Sequence, residues 1–494
     1  MLPKIHLVRG ADRALHEQLI GQLRHLILAG ELPPGTRLPP SREAARAFQV
    51  SRNIVVLAYE QLSLEGYLEA RVGSGTRVRE SLPKHLLRPK SVTALSESTG
   101  GLRPSRLSRQ GHRLAAARGI PHRNGGKPGA FLPGVGALEL FPIRTWARLS
   151  GQVLRSRGAE LHAYGDSAGF RPLREAISDH IARYRSVLCT PEQIVVTSGS
   201  QQALDMIARM LVDPGDPVAI EDPGYRGAQV AFAAAGARTI SVPVDDDGID
   251  VSQLRDSLTN IGVVYTTPSH QYPLGVTLTL ARRLRLLEWA KESAAWIIED
   301  DYDSEFRYES RPLPSLQGLD PNGRVIYVGT MSKVLAPGLR IGFLVLPEVL
   351  VEPFRAARTA IDTHSPLPTQ ATLAEFIAKG HLERHIAKMR GIYSERRDRL
   401  RAAIEAKLRG QVEIVSGTAG LHLCVFLTAG GDDRLVSELA AERGVEAPAL
   451  SDYFASESSR PGLVLGFGGA APEEIVPKIE LLAESIAIAR RARR

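Results

Sequence analysis

The 494-residue chain has only two cysteines, Cys189 and Cys424, and no apolar run near the roughly 20 residues that a bilayer-spanning helix needs. Two thiols exclude a disulfide framework and a cysteine-rich zinc cluster, and they fit a reducing compartment. The N-terminus lacks the positive, apolar and small-residue pattern of a secretory signal. No internal repeat is visible. These absences predict a cytoplasmic protein with no metal centre and no membrane contact.

What is present is globular material, 43% hydrophobic and 23% charged, in a chain long enough for at least two cores. The net charge of +8 is unevenly placed. Residues 1–79 carry a net +4, residues 80–124 a net +7 and the other 370 residues a net −3. A basic excess confined to the first quarter points to a polyanionic partner at that end.

Within residues 1–79, the segment 11–29 places Leu15, Leu19, Leu23, Leu26 and Ile27 on one helical face, ended by Gly30 and Pro33-Pro34. A short helix starts behind Pro39-Pro40 with Ser41 as its N-cap, and another follows Ser51 and ends near Glu65 and Gly66. Tyr67–Val78, holding Gly73-Ser74-Gly75, reads as a β-hairpin. This order describes a winged helix-turn-helix. Arg52 and Asn53 open the third helix, where side chains reach base edges, and the amides beside Ser51 can meet a phosphate. A packing module with a solvated arginine face has the same periodicity.

From Leu19 to Val78, the segments AGELPPGTRLPPSREAA and VSRNIVVLAYEQLSLEGYLEARVGSGTRV resemble the DNA-binding domain of the GntR family. The resemblance implies double-stranded operator DNA as a partner, contacted by Arg42, Ser51, Arg52, Asn53 and the wing residue Gly73. Ile54 stands where that family usually has threonine, so one hydroxyl that often meets phosphate is missing.

Residues 80–124, with Pro83, Pro89, Pro104 and Pro121 among scattered arginines and serines, read as an extended basic linker. Over 125–494, long helical patterns alternate with β-branched runs such as Val263–Tyr265, Trp296–Ile298 and Val325–Val328. That alternation predicts a large α/β domain built on a mainly parallel sheet. The expected fold class is multidomain, a small α+β head and a large α/β body.

Several segments of the body place reactive or polar residues around these strands. YVGTMSKVLAPGLRIGF sets Thr330 and Lys333 after a strand, with Arg340 seven residues beyond the lysine. WIIEDDYDSEF sets Asp300 at a strand end and Tyr302 two residues on, crowded by Glu299, Asp301 and Asp303; a solvated acidic loop is the bland alternative. Ser198-Gly199-Ser200-Gln201 follows a strand and opens a helix, a setting that binds phosphate. Tyr225 lies in EDPGYRG, Tyr164 in YGDSAGFRPLREAI and His270 in PSHQYPLG.

In the same chain order, these segments resemble the fold-type-I aminotransferase superfamily, which implies pyridoxal 5'-phosphate as cofactor. By that resemblance Lys333 forms the imine, Asp300 meets the pyridine nitrogen, Tyr302 the phenolate oxygen and Tyr225 the ring face. Gly199, Ser200, Gln201 and Arg340 cradle the phosphate, with Thr330 in the lysine loop. Tyr164 matches a tyrosine that reaches the neighbouring subunit's phosphate, which implies a homodimer. His270 is either a substitute phenolate donor or a structural histidine, because Tyr272 occupies the place of the family's asparagine. The arginine that normally holds a substrate carboxylate, three residues before a late aromatic, is Val464 before Phe467, with Arg460 nearby.

Head and body together resemble the MocR/GabR subfamily of regulators over essentially the whole chain. The resemblance implies a transcription regulator whose body senses a small molecule, either pyridoxal phosphate itself or an amine or amino acid. The alternatives are a working aminotransferase with an accessory DNA-binding head and a regulator whose body is only a dimerisation scaffold.

Overall fold

Leu19, Ile20, Leu23, Leu26 and Ile27 recur at three- and four-residue spacing and form the buried face of helix α1 (Leu15–Leu28). In the computed structural model they pack with Ala44 and Ala45 of α2 (Ser41–Ala47) and Val55, Ala58, Tyr59 and Leu62 of α3 (Arg52–Leu64). Gly30 and Gly66 follow α1 and α3 with φ of +79° and +81°, the left-handed geometry that ends a helix. Strands β1 (Leu68–Arg71) and β2 (Gly75–Val78) pair antiparallel, Leu68 opposite Val78, and make the wing. The expected cap at Ser41 differs. Pro40 holds the N-cap position, and Ser41 is the first helical residue, its hydroxyl accepting from Arg52 Nε at 3.3 Å. Ser51 does occupy the N-cap of α3, though its side chain makes no capping bond.

The structure describes residues 5–10, 13–71, 75–80, 107–116, 130–256, 260–309, 314–415, 417–428, 430–455 and 460–492. The chain divides into two units, Met1–Arg106 and Leu107–Arg494. Gly73 and most of the expected linker lie outside the described residues. Within that linker, however, Arg109–Ala116 is a helix. It packs on helix Arg226–Ala235, and Arg113 Nε donates to the Ala234 carbonyl at 3.4 Å, near that helix's C-terminus. This helix departs from the extended linker expected over residues 80–124.

The large unit is built on eight strands in the order β3-β10-β9-β8-β7-β4-β5-β6. These are β3 (Ile194–Thr197), β4 (Pro217–Asp222), β5 (Arg238–Asp245), β6 (Gly248–Ile249), β7 (Val263–Thr266), β8 (Trp296–Asp301), β9 (Val325–Thr330) and β10 (Gly342–Val345). The neighbours from β9 through β8, β7 and β4 to β5 are parallel; β10 runs antiparallel to β3 and β9. Strands β3, β7, β9 and β10 are buried along their whole length, as expected of a sheet covered on both faces. A second, antiparallel sheet of β11 (Val412–Ile414), β12 (His422–Leu427) and β13 (Gly462–Gly466) follows. Among the described residues, no helix is long and apolar enough to cross a membrane.

Candidate functional site

In an open parallel sheet the strands deliver their following loops to one edge, and ligands bind there. The C-terminal ends of β3, β4, β7, β8 and β9 deliver Gly199, Tyr225, His270, Asp300 and Lys333 respectively. The turn out of β9 is tied by Thr330 Oγ1, which donates to Ser332 Oγ at 3.0 Å and accepts from the Ser332 amide at 3.2 Å. Lys333 is half-buried, and its Nζ donates to the Gly134 carbonyl at 2.6 Å. A Cβ at Gly134 would stand 2.7 Å from that nitrogen, so the glycine makes room for the lysine. Burial lowers the Lys333 pKa, opposed by the charges of Asp303 and then Asp300.

The four acids around the end of β8 are separated by their partners. Glu299 accepts the Leu316 and Gln317 amides, both at 2.9 Å. Asp301 accepts Arg185 Nε at 2.5 Å and the Tyr327 hydroxyl at 2.7 Å. Burial works to raise Asp301, yet the Arg185 charge and these hydrogen bonds hold it below the usual carboxylate range. Asp303 faces His270 Nδ1, 3.1 Å from both carboxylate oxygens. Asp300 accepts the Tyr265 hydroxyl on Oδ2 at 2.8 Å, and its Oδ1 is buried with no partner. Burial pushes the Asp300 pKa up to about 7; Asp301 and Glu221 add to the rise, while Tyr265 and Lys333 oppose it.

Around this acid stand aromatic rings. Tyr302 places its hydroxyl 3.0 Å from His270 Nδ1, and its ring meets Tyr272 edge-on at 5.8 Å. Tyr225 caps helix Arg226–Ala235 and meets Tyr272 edge-on at 5.9 Å. Gly227 lies against the Tyr225 ring, and Gln201 Nε2 donates to the Gly227 carbonyl at 3.0 Å.

Gly199 has φ +89° and is the N-cap of helix Ser200–Leu211. Arg340, from the loop after Lys333, donates to the Ser198 carbonyl at 2.6 Å. A Cβ on Gly199 would sit 3.0 Å from both terminal guanidinium nitrogens, so the cradle exists because that position is bare. Ser200 and Gln201 open the helix with their amides at its positive end. Tyr164 is 92% exposed, and its ring meets His364 edge-on at 6.4 Å. Val464 is fully buried in β13 opposite Cys424, in an apolar cluster with Leu274, Leu450 and Tyr453. Arg460 is exposed and pairs with Glu413 at 2.6 Å.

In the head, Arg42, Ser51, Arg52 and Asn53 are all exposed around the starts of α2 and α3. Ile54 packs partly against the head's core, which accounts for an apolar residue in that place. Sequence reasoning missed Gly134, Tyr265, His422 and Gly420. Gly134 sits in a glycine-rich turn that could have been flagged; the others carry no local signal.

A model of the "Bacterial regulatory proteins, gntR family" matches residues 15–78, and one of "Aminotransferase class I and II" matches residues 134–460. The probable rhizopine catabolism regulatory protein MocR of Rhizobium meliloti is 41% identical, over 94% of this chain and 92% of its own. The chain belongs to the MocR subfamily. The HTH-type pyridoxine biosynthesis transcriptional regulator PdxR of Corynebacterium glutamicum is 33% identical over 91% of both chains. The crystal structure of a multiple substrate aminotransferase from Thermococcus profundus matches 78% of this chain and 98% of its own, with 31% identity and a TM-score of 0.70. Like its MocR relatives, the protein is a DNA-binding transcriptional regulator with an aminotransferase-like domain.

Proposed function

We propose that the body binds pyridoxal 5'-phosphate through Lys333, and that occupancy of this site governs how the protein, as a homodimer, holds operator DNA. The observation that carries this reading is the unpaired Oδ1 of Asp300 at the same sheet edge as a half-buried lysine. A buried carboxyl oxygen without a partner is costly, and a pyridinium N–H would satisfy it. The residues present fit the cofactor. Gly199, Ser200, Gln201 and Arg340 form a bare, cationic cradle for its phosphate, and Tyr225 offers a ring to its face. Tyr302 and His270 lie beside the acid, where a phenolate oxygen needs donors.

When bound, the cofactor supplies an aldehyde that captures amines and a ring that withdraws electrons. The chain's own work is to present Lys333 with a lowered pKa, to hold a proton at the Asp300–pyridine contact and to exclude water by burial. Tyr164, exposed in a single chain, is available to a second copy.

Two lines support sensing over turnover. The identity with MocR relatives spans head and body alike. Val464 offers no cation to a substrate carboxylate, which favours pyridoxal phosphate itself, or an amine, as effector. The test is a titration of the full-length protein with pyridoxal phosphate, followed by absorbance and by operator binding. The expected result is an absorbance band that Lys333→Ala abolishes, and an operator affinity that changes as the band appears. Unchanged operator affinity in fully loaded protein would overturn sensing. Sustained turnover with an amino donor and a keto acid, at about one per second, would make the body an enzyme.

A further inference from the structure

Two buried histidines, His270 and His422, each have one ring nitrogen already committed. His422 Nε2 lies 3.0 Å from the Pro273 carbonyl, which only accepts, so this nitrogen carries the hydrogen. His270 Nδ1 lies 3.1 Å from each oxygen of Asp303, and the two side chains are buried, the residues being 2% and 1% exposed. An ionised carboxylate only accepts, so Nδ1 of His270 carries the hydrogen and Nε2, buried and unpartnered, keeps the lone pair. The Tyr302 hydroxyl stands 3.0 Å from the same Nδ1. It cannot donate to a nitrogen that already holds a hydrogen. The backbone also closes on the pair: at Gly420, φ +74°, a Cβ would lie 2.0 Å from His270 Cε1 and 2.6 Å from Asp303 Oδ2. The imidazole is clamped in its seat.

We propose that Asp303 is a positioning residue that fixes His270 as the Nδ1–H tautomer and thereby directs the Tyr302 hydroxyl hydrogen away from His270, toward the ligand. The ligand part rests on the reading that the cleft takes pyridoxal phosphate. In a phenol beside a neutral imidazole the hydroxyl ordinarily donates to a free ring nitrogen. Here Asp303 removes that acceptor, and a tyrosine that would otherwise be spent on a neighbour becomes a donor to the phenolate oxygen. This gives His270 a role between the two readings of its sequence: it acts through Tyr302. His270, Asp303 and His422 each offer one ligand atom within 4.8 Å of the others. Ligands of a tetrahedral zinc at about 2.0–2.1 Å stand only about 3.3 Å apart, so the hydrogen bonds of His270 to Asp303 and of His422 to Pro273 fit the spacing better.

The tautomer can be read without cofactor, by nitrogen-15 NMR of the full-length protein labelled at histidine, with His270→Gln identifying the signals. Wild type is expected to show His270 protonated at Nδ1; in Asp303→Ala the hydrogen moves to Nε2. With pyridoxal phosphate, Asp303→Ala is expected to weaken binding about tenfold, as Tyr302→Phe does. Adding Asp303→Ala to Tyr302→Phe should then cost less than about twofold, because both remove one interaction. A wild-type His270 protonated at Nε2, or losses that multiply in the double variant, would overturn the proposal. So would zinc retained by the wild type through dialysis and lost in His422→Ala. If wild type takes no pyridoxal phosphate, the cofactor reading fails, while the NMR result still decides whether Asp303 sets the tautomer.

Discussion

In the small unit, the side chains expected to meet DNA, Arg42, Arg52 and Asn53, stand in solvent around the starts of short helices. In the large unit, Asp300 and His270 are 4% and 2% exposed, at or just beyond the C-terminal ends of β8 and β7. The head needs little more than a packed core to hold α3 out, and its affinity comes from charges that water already solvates. The body must first pay to bury an acid, and its selectivity comes from which buried groups are left without partners. An exposed site tolerates change in its surroundings; a buried one is defined by them.

If this contrast is right, substitutions in the body should act on cofactor and stability while leaving cofactor-free DNA binding alone. The largest effect is expected from Lys333→Ala, which should abolish the cofactor absorbance band without changing operator affinity in the absence of cofactor. Asp300→Asn comes next. The acid's pKa is raised to about 7, so its protonated form suits the empty fold, and its contribution is lost as pH rises from about 4 through 7. Removing the ionisable group should therefore stabilise the cofactor-free protein above pH 7, by up to ~4 kcal/mol, and flatten the decline of Tm with pH. A steeper decline in the variant would contradict the burial argument.

In the head, Arg52→Ala should weaken specific operator binding by ~1–3 kcal/mol and leave the cofactor titration unchanged. The smallest effect tests a hydrogen bond by which the described part of the expected linker touches the body. Arg113→Ala removes a hydrogen bond worth about 1 kcal/mol to helix Arg226–Ala235, whose other end begins at Tyr225. Operator affinity should then respond less to the cofactor, by about fivefold at most, with cofactor affinity unchanged. A full response would show that the linker helix carries no signal.

Much of this was legible in the linear chain. The helix faces of the head, the alternating elements of the body and the lysine, tyrosine and glycine motifs are local patterns, and they reappear as α1, α3, the sheet and the loops at its edge. The choice among Glu299, Asp300, Asp301 and Asp303 was not local. It depends on Leu316, Arg185 and His270, which lie up to 116 residues away and occupy Glu299, Asp301 and Asp303, leaving Asp300 as the acid with an unpartnered oxygen. Ser41 has the side chain of a cap, yet Pro40 takes the N-cap position and Ser41 opens the helix. The Arg109–Ala116 helix lies in a stretch whose prolines and scattered arginines and serines read as extended, and it lies against the helix Arg226–Ala235, which is more than a hundred residues away in sequence.

The unpaired oxygen of Asp300 has a consequence for the lifetime of the protein in a cell. A fold that carries an unsatisfied buried acid when empty opens more often, and a ligand that binds only the folded form closes it in proportion to its free concentration. Quality-control proteases remove whichever copies are open. The amount of regulator present would then follow cofactor supply, over and above any change in its grip on DNA, and scarcity would be registered twice by the same carboxyl group.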